Sequence, residues 1–220
     1  VVPANASAVA LNVTAVAPTT AGFVTVWPCG VERPLASHLN YSANGVVPNG
    51  VIASIGANGG VCFYSQAETD LIVDIAGWFE GDSYVGATPD RLVDTRDGTG
   101  GSLGFVTDSS PLVVTVANLA LKSADGRSVT VPDSLSAVAL NVTAVTPASD
   151  GFLTVWPCDV DRPLASNVNY TAGAIVANGV IAPVSGEGTV CIYSLAPSHV
   201  IVDFAGWFPG AAFEGSKPTR

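Results

Sequence analysis

Apolar and polar residues alternate with a period of two over many short stretches of this chain. Val9, Leu11 and Val13 would lie on one side of an extended strand, with Asn12 and Thr14 on the other. Similar stretches occur at 23–27, 37–41, 47–55, 61–65 and 71–75, separated by glycine- and proline-containing turns. No segment has the extended i, i+3, i+4 spacing of an amphipathic helix. The pattern predicts an all-β protein.

The pattern occurs twice. Ala8–Phe79 aligns with Ala137–Phe208 without a gap, and well over half of the positions are identical. A period this long indicates one whole domain per copy. We therefore predict two tandem antiparallel β-sandwich domains, jelly-roll or immunoglobulin-like, with a β-trefoil or barrel as the alternative.

The two copies differ at their beginnings. Two further strands, Arg91–Thr95 and Leu112–Leu121, are predicted before the second copy, and the first copy lacks them. We divide the chain into a first repeat at 1–80 without its leading segment, a linker at 81–90, a complete second repeat at 91–208, and a tail at 209–220 leading to a further repeat. The first repeat would therefore have bare sheet edges, and there are three possibilities for how it is completed. Residues 91–121 could supply the missing strands, a neighbouring chain could supply them, or the fold of the first repeat begins at the ALNVTAV strand and needs no others.

Four cysteines form two equivalent pairs. Cys29 and Cys62 have the same separation as Cys158 and Cys191, and there is no CxxC motif of the zinc or redox type. We therefore predict one disulfide in each repeat. Disulfides persist in oxidising compartments, so the protein is expected to be secreted or at the cell surface.

Charge narrows the range of partners. The net charge is −10 at pH 7 and only 12% of the residues are charged, so nucleic-acid binding, which needs lysine and arginine against the phosphates, is not expected. No apolar run is long enough to span a bilayer, and we predict no membrane insertion.

Several segments together resemble a known family. They are RLVDTR at 91–96, SAVALNVTAV at 136–145, GFLTVWPC at 151–158, RPLASNVNY at 162–170 and VIVDFAGWF at 200–208. They resemble repeats of about 130 residues that occur in tandem, or next to hydrolases, in secreted and cell-surface proteins of actinobacteria. The resemblance implies an extracellular all-β module and supplies no catalytic residue.

Catalytic and metal-binding groups are sparse. His38 aligns with Asn167 and His199 with Asp70, so neither histidine is shared by the copies. We predict no enzyme activity and no cofactor. Asp90, Asp94 and Asp97 form a weak calcium candidate, since calcium prefers several oxygen ligands from one turn.

Shared aromatic and charged residues suggest a sugar site. Tryptophan and tyrosine beside aspartate and arginine can stack on sugar rings and bind their hydroxyls, although tryptophans in a sandwich also serve as core. Asp74 and Trp78 are expected on one face of a strand. The candidate glycan-binding residues are Trp27, Arg33, Asp74, Trp78 and their equivalents Trp156, Arg162, Asp203, Trp207.

From the sequence we expect a non-catalytic extracellular repeat module, acting as a structural or adhesive element of a secreted or surface protein. Its partners would be neighbouring repeats or glycans. The alternative is a carbohydrate-binding module for cell-wall or other polysaccharide.

Overall fold

A computed structural model of the chain describes residues 2–216. Every secondary-structure element in this range is a β-strand, and every strand pair is antiparallel. Each sheet has two free edges, so none closes into a barrel. The prediction of an all-β protein built from β-sandwiches is confirmed, and the barrel alternative is not.

The first repeat consists of two three-stranded sheets. One sheet has the strand order β4-β1-β6 and the other β3-β2-β5. The apolar positions of the alternating pattern face each other between the sheets, and Val13, Val24 and Leu39 are among the residues fully buried there. The strands are β1 (Ala6–Val16), β2 (Gly22–Pro28), β3 (Leu39–Tyr41), β4 (Val46–Ser54), β5 (Val61–Ser65) and β6 (Asp70–Glu80).

The second repeat has the same two sheets, each with one strand more. Their orders are β14-β11-β16-β7 and β13-β12-β15-β8, and β9 and β10 form a separate hairpin. The strands are β7 (Val85–Asp94), β8 (Leu112–Thr115), β9 (Ala120–Lys122), β10 (Ser128–Thr130), β11 (Leu135–Val145), β12 (Gly151–Pro157), β13 (Val168–Tyr170), β14 (Ile175–Pro183), β15 (Thr189–Ser194) and β16 (His199–Pro209).

The boundary between the repeats differs from the one predicted. Residues 81–90 were expected to form a linker, but β7 already begins at Val85 and pairs with β16 from Trp207 onward. The glycines suggested a linker, whereas the buried side chains of Tyr84 and Ala87 anchor this segment. The second repeat therefore starts near residue 85. The end of the predicted tail, residues 217–220, lies outside the described residues.

The segment before the second sandwich, which we call the leader (residues 85–131), adds its strands to the sheets of the second repeat and not to those of the first. Its strand β7 extends the sheet at β16, and β8 extends the other sheet at β15. Val93, Val114 and Val131 of the leader are buried in the second core. Of the three possibilities left by the sequence, the one in which residues 91–121 complete the first repeat is therefore wrong.

Equivalent residues of the two repeats consequently differ in burial. On β16, Val202 and Phe204 are 0% exposed and Trp207 is 3% exposed. The equivalent side chains on β6 are 42% exposed at Val73, 52% at Ile75 and 46% at Trp78. The cause is the leader, which covers this side of the second core but not of the first.

Both predicted disulfides are present. Cys29 bonds to Cys62 and Cys158 to Cys191, with Cα–Cα distances of 5.1 and 5.0 Å. The first links the end of β2 to β5 and the second links the end of β12 to β15, where Trp27 lies opposite Cys62 and Trp156 opposite Cys191. Two disulfides indicate an oxidising environment.

Candidate functional site

The contact between the repeats contains a group of buried polar residues that bind one another. Asp203 on β16 is buried, and its carboxylate accepts hydrogen bonds from Arg91 Nε at 2.9 Å and Nη2 at 3.4 Å. The backbone N–H of Ser37, in the first repeat, donates to the same carboxylate at 3.2 Å. Burial raises the pKa of the Asp203 carboxyl, and the arginine and the amide act in the opposite direction. The group is thus bound by both repeats.

Two asparagines continue this contact. The side-chain amide of Asn49, in the first repeat, donates to Asn141 Oδ1 at 3.0 Å, and Asn141 Nδ2 donates to the Ser37 carbonyl at 2.5 Å. The backbone N–H of Gly179 donates to Asn49 Oδ1 at 2.9 Å. Buried amides are costly unless they are satisfied, and here both side-chain amides find partners in the opposite repeat.

An aromatic cluster lies beside these polar contacts. The ring of Phe79 is 5.9 Å from that of its equivalent Phe208, and Tyr84 lies 5.2 Å from the first ring and 5.1 Å from the second. A cleft of about 260 Å³ follows along the boundary. Its walls are mostly apolar and come from both repeats, including Ala10, Ile52, Ala139 and Ile181. The repeats thus meet through the outer faces of the sheets β4-β1-β6 and β14-β11-β16-β7.

His38 has a structural role at the same boundary. Its Nδ1 accepts the backbone N–H of Val26 at 3.1 Å, and in the second repeat Asn167 Oδ1 accepts the equivalent N–H of Val155 at 2.8 Å. Burial lowers the pKa of His38 from 6.5 to about 4. The neutral imidazole of His38 therefore accepts the backbone hydrogen bond that Asn167 accepts in the second repeat.

His38→Asn is expected to reduce the acid sensitivity of the protein. In the unfolded chain the histidine takes up a proton below pH 6.5, but in the folded protein it does so only near pH 4. Wild-type stability should therefore fall by about 2 kcal/mol more than that of the variant between pH 7 and pH 5. Urea unfolding of both proteins at the two pH values measures this difference. Parallel losses would show that His38 does not remain neutral in the folded state.

The shared tryptophans near the disulfides anchor a loop in each repeat. Trp27 Nε1 donates to the Val31 carbonyl at 3.2 Å, and Trp156 Nε1 donates to the Val160 carbonyl at 3.1 Å. In the same loops, the guanidinium carbon of Arg33 lies 3.7 Å from the Tyr64 ring centre, and that of Arg162 lies 3.6 Å from the Tyr193 ring centre. These four candidate glycan residues thus make the same contacts within each repeat.

Asp74 and Trp78 do not lie on one face of their strand, so that prediction is wrong. Asp74 pairs with Asn12 on the outer face of the sheet, whereas Trp78 pairs with Val9, whose side chain faces the core. A register shift between Ala10 and Leu11 reverses the alternation between them. The second repeat has the same shift, which places Trp207 in the core and Asp203 at the repeat boundary.

The three aspartates of the calcium candidate do not converge. Asp94 is buried and binds Arg96, whose Nε and Nη2 lie 2.9 and 2.6 Å from its carboxylate oxygens. These hydrogen bonds lower the pKa of Asp94. Asp97 accepts the Thr99 N–H at 2.9 Å, and Asp90 is exposed. Within residues 2–216 there is no group of acidic, histidine or cysteine side chains that could hold a metal ion.

The sequence did not identify Ser37, Asn49 and Asn141 as a connected set. The available signal was that all three are identical in the two copies, at Ser166, Asn178 and Asn12. Asn49 and Asn141 also lie within otherwise apolar strands, where an amide needs a partner. The partner belongs to the other repeat and could not be read from one strand.

Comparison with known protein families, curated proteins and solved structures gives no match. In the described range, no helix has the length and apolar character needed to cross a membrane.

Proposed function

We propose that this chain is a non-catalytic structural or adhesive module of a secreted or cell-surface protein, in which neighbouring repeats bind one another directly. The observation that carries this proposal is the use of Asp203 and Asn141. Asp203 was a candidate glycan-binding residue, yet both it and Asn141 bind backbone or side-chain groups of the first repeat. Their polar groups stabilise the arrangement of one repeat relative to the next.

Three further features support a structural role outside the cell. Each repeat carries its own disulfide, which stabilises a domain mainly by restricting its unfolded chain. Each histidine occurs in one copy only, whereas a site used by every repeat would occur in both. The repeat boundary combines an ion pair, amide hydrogen bonds and packed aromatic rings, which together resist rotation of one domain against the other.

Asn49→Ala and Asn178→Ala form a matched test of the repeat contact. Both variants lose a hydrogen bond within their own repeat, from Asn49 to the His38 carbonyl and from Asn178 to the Asn167 carbonyl. Only Asn49→Ala also loses the contacts to Asn141 and Gly179. We expect Asn178→Ala to cost about 1 kcal/mol and Asn49→Ala about 2 kcal/mol.

Scanning calorimetry distinguishes the two variants further. Coupled repeats unfold in one transition, and a weakened boundary separates it into two. We expect two transitions for Asn49→Ala and one for Asn178→Ala. Equal effects of the two substitutions on stability and on the shape of the transition would contradict the proposal that the Asn49 contacts couple the two repeats.

The second candidate function, carbohydrate binding, is favoured by the exposed Trp78. Its indole is 46% exposed, and its N–H donates to Glu80 at 2.9 Å. An exposed indole can stack on a sugar ring. A glycan array and a peptidoglycan pull-down with a tryptophan-fluorescence readout test this function. Saturable binding that Trp78→Ala removes would support it, and equal binding by the variant would exclude Trp78 from the site.

A further inference from the structure

The leader provides the second repeat with two strands that the first repeat does not have. Val202 and Val93 are partners in the pairing of β16 with β7, and Ile192 and Leu112 are partners in the pairing of β15 with β8. The leader also contributes many buried side chains to this core: Val93, Val106, Leu112, Val114, Val116, Leu121 and Val131. It is an integral part of this sandwich.

The first repeat has the corresponding surface without a strand on it. In the described part of the chain β6 pairs only with β1, and β5 pairs only with β2. Each therefore has one edge with unpaired backbone groups, which is where an additional strand can bind. Behind these edges lie exposed or half-buried apolar side chains: Val61, Phe63, Val73, Ile75 and Trp78.

The charges of the open edge also match the leader. Asp203 on β16 binds Arg91 of the leader at 2.9 Å, and the equivalent residue on β6, Asp74, is exposed. Among residues 2–216 no cation forms an ion pair with Asp74. An incoming strand with an arginine in the Arg91 position would meet this carboxylate in the same register.

We propose that the open edge of the first repeat binds, by strand addition, an unpaired leader segment of another repeat of this kind. This segment has the chemistry of residues 85–131: apolar residues at the buried positions and an arginine opposite Asp74. Strand addition of this type gains main-chain hydrogen bonds for affinity and side-chain pockets for specificity. The leader of a second copy is not the expected occupant, because it is already paired with its own β16.

This inference deepens the proposed structural role, since it names what the first repeat binds. It does not depend on the contact between the repeats, because Asn49 lies on β4 and the open edge lies on β6. Loss of that contact in Asn49→Ala and loss of leader binding are therefore separate outcomes.

The test uses the full chain and a fluorescently labelled peptide of residues 85–131. We expect saturable binding with one peptide per chain, measured by anisotropy, and a blue shift of Trp78 fluorescence as the indole becomes buried. Asp74→Asn in the protein or Arg91→Ala in the peptide should each weaken binding about tenfold or more, and combining them should add little.

Two pairs of variants check the binding mode. In the peptide, Val114→Asp should abolish binding and Val113→Ser should leave it unchanged, because Val114 is 3% exposed in the second repeat and Val113 is 56% exposed. In the protein, Val73→Lys should abolish binding without unfolding the repeat, because Val73 is exposed. A photo-crosslinker at peptide position 93 should label β6 near Val73, the equivalent of its partner Val202.

Three outcomes would overturn the proposal. One is the absence of binding by a soluble, monomeric peptide. Another is binding that is insensitive to Asp74→Asn and crosslinks to β16, which would show exchange with the resident leader. The third is a dimer of the chain in which the leaders are exchanged between copies, which would make a second copy the occupant.

Discussion

Trp207→Ala is expected to lower the free energy of unfolding by about 3–5 kcal/mol, the usual range for removing a large aromatic side chain from a core. Trp207 is 3% exposed and packs in the second core beside Phe204, with ring centres 6.4 Å apart. Its identical counterpart Trp78 is half exposed, so Trp78→Ala should cost less than about 1 kcal/mol. Denaturant unfolding followed by circular dichroism measures both changes.

Trp207→Phe is the milder variant if the alanine protein does not fold, and it should still cost more than Trp78→Phe. The comparison is informative because the two residues occupy equivalent positions in nearly identical strands. Equal losses would mean that β6 is covered as well as β16, which would contradict the open first repeat.

Arg91→Ala should also cost about 3–5 kcal/mol, because it leaves Asp203 as a buried carboxylate without its cation. The Ser37 amide would remain as a hydrogen-bond donor but carries no charge. The loss should be smaller at low pH, since a raised pKa lets the carboxyl become neutral in the folded state as the pH falls. Urea unfolding at pH 7 and pH 4 measures both effects.

Two controls accompany this variant. Arg33→Ala removes an exposed guanidinium that lies on Tyr64 and should cost about 1 kcal/mol or less. Asp74→Asn changes the exposed equivalent of Asp203 and should cost about 0.5 kcal/mol or less. If Asp74→Asn and Arg91→Ala were equally harmful, the carboxylate of Asp74 would have a structural partner of its own.

The strands and disulfides could be predicted because their signals are local. Alternation over Val9–Ala15 depends only on which residues face the core, and the cysteine pairs repeat at one spacing. The faces of Asp74 and Trp78 could not be predicted, because a single register shift reverses the alternation between them. Such a shift depends on how a strand fits its neighbour, and the only local signal of it in the sequence is Gly77.

The partner of the leader could not be predicted either. VDIAGWF on β6 and VDFAGWF on β16 offer nearly the same edge, so the leader sequence fits both. The choice between them is made by tertiary structure: β8, the hairpin of β9 and β10, and Val131 all join the second core. The roles of Asp203 and Asn141 follow from this arrangement, so they also could not be predicted from the sequence.

The likeness of β6 and β16 has a consequence for the order of events during synthesis. A ribosome completes β6 and then the leader before any of β16 exists, and Arg91 and Asp203 are 112 residues apart in sequence. In the register of the finished sheet Trp207 lies opposite Val85, and the equivalent pairing of Trp78 with Val85 needs only a turn at 79–84. The nascent leader can therefore first form a hairpin with β6 and move to β16 later. In tandem arrays of near-identical repeats, the rate of this transfer, and not only the stability of the final pairing, governs how quickly the native arrangement appears.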